Sequence, residues 1–68
     1  MSIAKVSEIS ATSKKSFQDA IEHGLTRANK TLRNVRSAWI KDQQVRIKKD
    51  GSIEEYQINM MVTFVIDD

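Results

Sequence analysis

The sequence predicts an α+β domain of β-α-β-β order, in which a three-stranded antiparallel sheet lies against one long helix. Two periodic segments and one turn signal carry this prediction. Apolar residues recur every three or four positions from Phe17 to Val35, which indicates a helix. They occupy every second position from Tyr56 to Ile66, which indicates a strand. The Asp50-Gly51 pair before that strand is a strong hairpin signal.

The first two elements follow from local patterns near the N-terminus. A short strand is predicted around residues 4–10, and the helix over about residues 16–34. Ser16 is suited to accept a hydrogen bond from an unpaired amide at the helix start, and Asp19 lies near the positive end of the helix dipole. Gly24 lowers helix propensity, so we expect it where the helix passes close to another part of the backbone.

The second strand changes its pattern part-way along. Ala38 and Ile40 share one face, whereas Val45 and Ile47 continue the apolar series out of step with them. A bulge near residues 42–44 restores the register. The chain has no proline and only two glycines, and hence no linker. We therefore expect residues 1–68 to form one domain.

One face of this sheet has no helix to cover it. A mixture of aromatic, aliphatic, amide and guanidinium groups is unusual for a solvated surface and indicates packing against other subunits or a flat ligand. A three-stranded sheet with one helix is also marginal by itself. We therefore predict a homo-oligomer. The residues on this face are Trp39, Arg46, Gln57, Asn59, Met61, Thr63 and Val65.

The composition excludes several classes of protein. A chain of 68 residues without cysteine holds neither a disulfide framework nor a thiolate zinc site. Its net charge of +2 is too small to indicate a nucleic-acid binder. No run of 18 apolar residues and no export signal is visible. We expect a cytoplasmic protein with no membrane or nucleic-acid partner.

The polar residues form no catalytic constellation. His23 is the only histidine, so a surface role is favoured over metal ligation. The members of Glu54-Glu55 and of Asp67-Asp68 are adjacent in strands and point to opposite faces, although either member is free to contribute to a cation site. The serines lack a nucleophile motif. We expect no enzyme activity and predict no metal ligands.

Trp39 is the strongest candidate for binding. It is either an ordinary interface tryptophan or a platform on which an aromatic ring stacks. Gln57 would assist stacking, because its amide offers a donor and an acceptor to the polar edge of a heterocycle. Both interpretations are open at this point.

The sequence resembles the dodecins, a family of small flavin-binding proteins, over essentially its whole length. Three segments carry the likeness. They are Ser10-Ala11-Thr12-Ser13 at the end of the first strand, Arg27-Ala28-Asn29-Lys30-Thr31-Leu32-Arg33-Asn34-Val35 at the helix end, and Tyr56-Gln57-Ile58-Asn59-Met60-Met61-Val62-Thr63-Phe64 in the last strand.

The resemblance implies a sheet that partly wraps its long helix, and twelve subunits assembled into a hollow shell. It implies that two flavin rings (FMN, riboflavin or FAD) stack between tryptophans of neighbouring subunits, and that a glutamine binds the pyrimidine edge. Gln57 matches that glutamine. Such proteins store, buffer or quench free flavin.

The sequence departs from the family pattern at the tryptophan. Ser37 occupies the position where flavin-binding members have tryptophan, and Trp39 lies two residues further on, about 6.6 Å along a strand. Arg46 follows an aliphatic residue as an arginine does in several members, although its spacing to Gln57 is one residue short. It would contact a phosphate or a neighbouring subunit.

Two functional hypotheses follow from the resemblance. In the first, the chain is a flavin-storing homododecamer with Trp39, Gln57 and Arg46 as its binding residues. In the second, it is a dodecin-like scaffold that lacks the stacking tryptophan and binds a cation or another small ligand in place of flavin.

Overall fold

The computed structural model describes residues 3–67. They form strand β1 (Ile3–Ser13), helix α1 (Phe17–Thr31), strand β2 (Val35–Ile47) and strand β3 (Ile53–Asp67). The sheet is antiparallel with strand order β1-β3-β2. This confirms the predicted α+β class and β-α-β-β order, and it places β3 at the centre of the sheet.

The core lies between α1 and one face of β3. Ile58, Met60 and Val62 have no exposed surface, and neither has Ala20 of the helix. These side chains alternate along β3, so the apolar face predicted from the sequence is the face that the helix covers. Partly buried apolar residues surround them: Ile9, Ala11, Phe17, Ile21, Leu25, Leu32 and Val35.

A hydrogen-bonded turn joins β1 to the start of α1. The Asp19 amide donates to Ser16 Oγ at 2.9 Å, so Ser16 caps the helix as predicted. Ser13 Oγ accepts from the Lys15 amide at 2.9 Å and donates to Asp19 Oδ2 at 2.6 Å. Because Ser13 also pairs with Tyr56 of β3, β1 extends three residues beyond the end predicted at residue 10.

The helix ends at Thr31, earlier than the predicted residue 34. Leu32 is already extended, with φ −111° and ψ 139°, and Asn34 has a left-handed φ of 58°. Asn34 O accepts from the Val65 amide at 3.1 Å, which anchors the start of β2 to the end of β3. The prediction was wrong here because Leu32 and Val35 continue the helical spacing although both residues lie outside the helix.

Gly24 of α1 lies directly against side chains of the sheet. A Cβ atom at this position would lie 2.6 Å from Met60 Cε and 3.1 Å from Ala11 Cβ. The predicted close approach therefore exists, but the neighbours are side chains of β1 and β3 rather than backbone. Within residues 3–67, no helix is long and apolar enough to cross a bilayer.

Candidate functional site

The sheet face opposite α1, here called the open face, carries the candidate site. Trp39 is paired with Met61, and Gln57 is paired with Gln44 of β2 and Thr12 of β1. Opposite residues of an antiparallel pair share a face. Met61 and Gln57 are an even number of residues apart in β3, so they share a face. Trp39 and Gln57 therefore lie on the same face, as the alternation of the sequence indicates.

A bulge in β2 brings Arg46 to this face. Ile40 is paired with Met60 and Asp42 with Asn59, so Lys41 is the extra residue. The bulge lies one residue before the predicted segment 42–44. Its effect is the one expected, because it shifts the alternation so that Arg46 is paired with Glu55 on the open face.

A row of polar side chains crosses all three strands at one end of the open face. Arg46 Nε lies 2.7 Å from Glu55 Oε1, and Arg46 Nη2 donates to Gln57 Oε1 at 3.0 Å. Gln57 Nε2 donates to Ser10 Oγ at 3.2 Å and to Asn59 Oδ1 at 3.3 Å. We call these five residues the polar row. Gln57 is at its centre, because it contacts three of the other four members.

An apolar patch lies further along the same face. Trp39 is 51% exposed and Val6 is 43% exposed, while Met61 and Val65 are half-buried. Ser37 is paired with Thr63 beside this patch. Met61 lies four positions after Gln57 in β3, a distance of about 13 Å along a strand. A ligand that touches Trp39 and Gln57 must therefore span this distance or bind between two subunits.

Among the described residues outside the polar row, Lys41 Nζ and Glu8 Oε1 form an exposed ion pair at 3.2 Å. His23 is 72% exposed and lies 3.7 Å from Asp19. Residues 3–67 contain no group of three or more histidine or acidic side chains placed to hold a metal ion. A groove of about 520 Å³ between α1 and β1 is lined in part by Ile9, Ala28 and Arg27, and it contains neither Trp39 nor Gln57.

Sequence reasoning missed two members of the polar row. Glu55 lies two residues before Gln57, so the alternation of β3 was sufficient to place it on the open face. Ser10 is adjacent to Gln57 only because of the pairing between β1 and β3. No local pattern in the sequence specifies that pairing.

Comparison with known proteins identifies relatives of the whole chain. The family model described as Dodecin matches residues 3–67. A search among curated proteins found no match. Solved structures, in contrast, gave clear similarities.

The similar structures are themselves dodecins. An arginine-to-alanine variant of the Thermus thermophilus dodecin is 31% identical with a TM-score of 0.90, and 100% of each chain is covered. The dodecin from Streptomyces davaonensis is 30% identical with a TM-score of 0.91, covering 98% of this chain and 97% of the other. A calcium dodecin of Mycobacterium tuberculosis, described with a calcium-binding site, is 29% identical with a TM-score of 0.80, covering 91% and 87%.

Proposed function

The chain belongs to the dodecin family, and we propose that it binds flavin and stores it in a homododecameric shell. Storage here means sequestering, buffering and photoprotective quenching of the free ligand, without turnover. The observation that carries the proposal is the position of Gln57. Its amide lies at the centre of the polar row and is held there by side chains from all three strands.

Gln57 is proposed to bind the pyrimidine edge of the flavin. An amide carbonyl has two lone pairs, and Arg46 occupies one of them at 3.0 Å. The second lone pair is available to the ring N–H of a flavin. Gln57 is half-buried in the central strand, so its side chain is fixed before the ligand arrives, which lowers the entropic cost of binding.

Trp39 is proposed to stack on the flavin ring. It is half-exposed on the open face, and Met61 lies opposite it. A flat aromatic surface of this kind suits a second aromatic ring. Because Trp39 and Gln57 are about 13 Å apart along the sheet, we expect the ring to lie between subunits. FMN, riboflavin and FAD share that ring.

Arg46 is the third proposed binding residue. Its guanidinium is 58% exposed beside Gln57, and Glu55 compensates its charge at 2.7 Å. It is close enough to the Gln57 subsite to contact a bound molecule or a neighbouring subunit. A contact to the phosphate of FMN would require the guanidinium to share its donors with Glu55.

A second candidate function is a dodecin-like scaffold that binds a cation or another small ligand. Ser37 in the position of the usual tryptophan favours it, and one similar structure is a calcium dodecin. In this case Trp39 packs in a contact between subunits. The two functions differ in whether flavin is quenched.

Titration of riboflavin and FMN into the purified protein separates the two functions. We expect flavin and Trp39 fluorescence to be quenched in parallel. Gln57→Ala should weaken flavin binding about 3- to 10-fold, the value of a lost hydrogen bond, without loss of assembly. Gln18→Ala, at an exposed glutamine of α1 that bonds Glu22, is the matched control and should bind flavin normally.

The opposite result would support the scaffold. If flavin emission is unquenched at micromolar protein and Gln57→Ala behaves as the parent does, the flavin function is wrong. Calcium titrated into the same preparation, followed by calorimetry, then tests the second candidate directly.

A further inference from the structure

We propose that Arg46 is a positioning residue, which fixes the orientation of the Gln57 amide and thereby decides which hydrogen-bonding groups of a ligand the site accepts. Its effect on the ligand rests on the proposed flavin function. Its effect on the amide does not, because all the contacts lie within one subunit.

The chemistry of Arg46 determines which Gln57 atom it faces. A guanidinium has five N–H donors and no acceptor. The Gln57 atom that lies 3.0 Å from Arg46 Nη2 must therefore be the oxygen, and the structure has it as Oε1. The amide nitrogen consequently points toward β1, where Ser10 Oγ lies at 3.2 Å.

In this orientation Gln57 has an acceptor to offer and no donor. Its two N–H groups are both used, by Ser10 Oγ and by Asn59 Oδ1 at 3.3 Å. One of the two lone pairs of Oε1 is used by Arg46. The single free position accepts a hydrogen bond. A suitable ligand edge therefore presents an N–H group, as the imide of an oxidised flavin does.

Glu55 holds Arg46 in place. Without a partner, a long and 58% exposed arginine would sample many rotamers. Glu55 Oε1 lies 2.7 Å from Arg46 Nε, and its own side chain is only 24% exposed. The two residues are directly opposite in the β2–β3 register. A charge-assisted bond of this length leaves the Nη2 group directed at Gln57.

The first test is made without ligand and concerns the contact alone. Arg46→Leu, Gln57→Ala and the double variant are compared by thermal unfolding. We expect the two shifts in midpoint to be clearly non-additive, as for side chains in direct contact. Additive shifts would contradict the proposal that Arg46 orients the Gln57 amide, whether or not the protein binds flavin.

The second test measures selectivity with riboflavin and its N3-methyl derivative. Wild type should bind riboflavin about tenfold more tightly than the N3-methyl derivative, because methylation removes the N–H group that donates to Gln57 Oε1. In Arg46→Leu the amide is free to turn and donate to a ring carbonyl, so the ratio should fall toward one. Arg46→Lys, which keeps a donor, should retain more of the preference.

The outcomes separate this proposal from the flavin function. A wild type that binds neither compound contradicts the flavin function, and the ligand-free comparison then decides the positioning role by itself. A wild type that binds riboflavin while Arg46→Leu keeps the same preference overturns the positioning role and leaves flavin binding intact. Gel filtration of each variant confirms that assembly is unchanged.

Discussion

At the scale of single residues, the resemblance to flavin-binding dodecins contrasts two positions of the open face, Ser37 and Trp39. Ser37 is paired with Thr63, and Trp39 is paired with Met61 two residues closer to Gln57. Two residues along a strand keep the same face but move a side chain by about 6.6 Å. Whether the displaced tryptophan stacks as well as one at position 37 is therefore a question of distance and not of direction.

We predict that Ser37→Trp strengthens flavin binding. The new indole would lie on the open face at the position of the family tryptophan. A well-oriented aromatic pair contributes about 0.5–1.5 kcal/mol beyond its buried area, which corresponds to an increase in affinity of about 2- to 10-fold. The dissociation constant for riboflavin, measured by fluorescence quenching, checks it.

The matched control is Ala38→Trp. Ala38 is exposed and is paired with Val62, so its side chain points to the opposite face of the sheet. This variant adds the same indole one residue away and should leave flavin affinity unchanged. Equal effects of the two tryptophans would contradict a face-specific stacking site.

At the scale of elements, one carboxylate accepts two hydrogen bonds within the turn of the β2–β3 hairpin. Asp50 Oδ1 accepts from the Ser52 amide at 2.9 Å and from Ser52 Oγ at 2.6 Å. Gly51 next to it has φ +91°, a conformation that side chains with a Cβ disfavour. The two hydrogen bonds from Ser52 hold the pKa of Asp50 below its ordinary value of 3.8.

We predict a loss of stability in acid that depends on Asp50. Because the folded-state pKa is depressed, the stabilisation is present above the ordinary value of 3.8 and is lost as the pH falls through the folded-state pKa. Asp50→Asn removes this titration while keeping a favourable turn sequence. Between neutral pH and about pH 2, the midpoint of denaturant-induced unfolding should therefore fall further for wild type than for Asp50→Asn. Parallel curves for the two proteins would contradict the prediction.

The sequence predicted those elements whose signals are local. Ser16 caps α1 and the Asp50-Gly51 turn lies between β2 and β3, as expected from residue type. The helix end was missed because the change of direction depends on the left-handed Asn34, with no glycine or proline to mark it. At the site, alternation placed Gln57 and Arg46 on one face, but their contact depends on the Lys41 bulge and the strand register.

At the scale of the whole molecule, the subunit is more extended than a compact monomer of its length. Its radius of gyration is 14.1 Å, against about 11 Å for a compact domain of this length. Its accessible surface is 5075 Å², against roughly 4,400 Å² for a monomer of this mass. The excess includes large apolar side chains: Ile3, Val6, Trp39, Ile40, Ile47, Ile53 and Ile66.

We predict that these apolar side chains hold the proposed dodecamer together. Ile47 is 64% exposed and is paired with Ile53 near the hairpin end. In an assembled shell Ile47→Glu would bury an unpaired carboxylate, which is strongly unfavourable. Light scattering should give twelve times 7.8 kDa for wild type and a much lower mass for Ile47→Glu.

Lys49→Glu is the control for this experiment. It introduces the same carboxylate in the exposed turn two residues away and should leave the mass unchanged. An Ile47→Glu protein of full mass would show that the hairpin end takes no part in assembly.

The same variant tests where the flavin lies. A flavin ring is too short to span the distance between Trp39 and Gln57 of one subunit, so we expect it to bind between subunits. Quenching of riboflavin should then fall together with the mass. Quenching that survives in dissociated Ile47→Glu would place the ligand within one subunit.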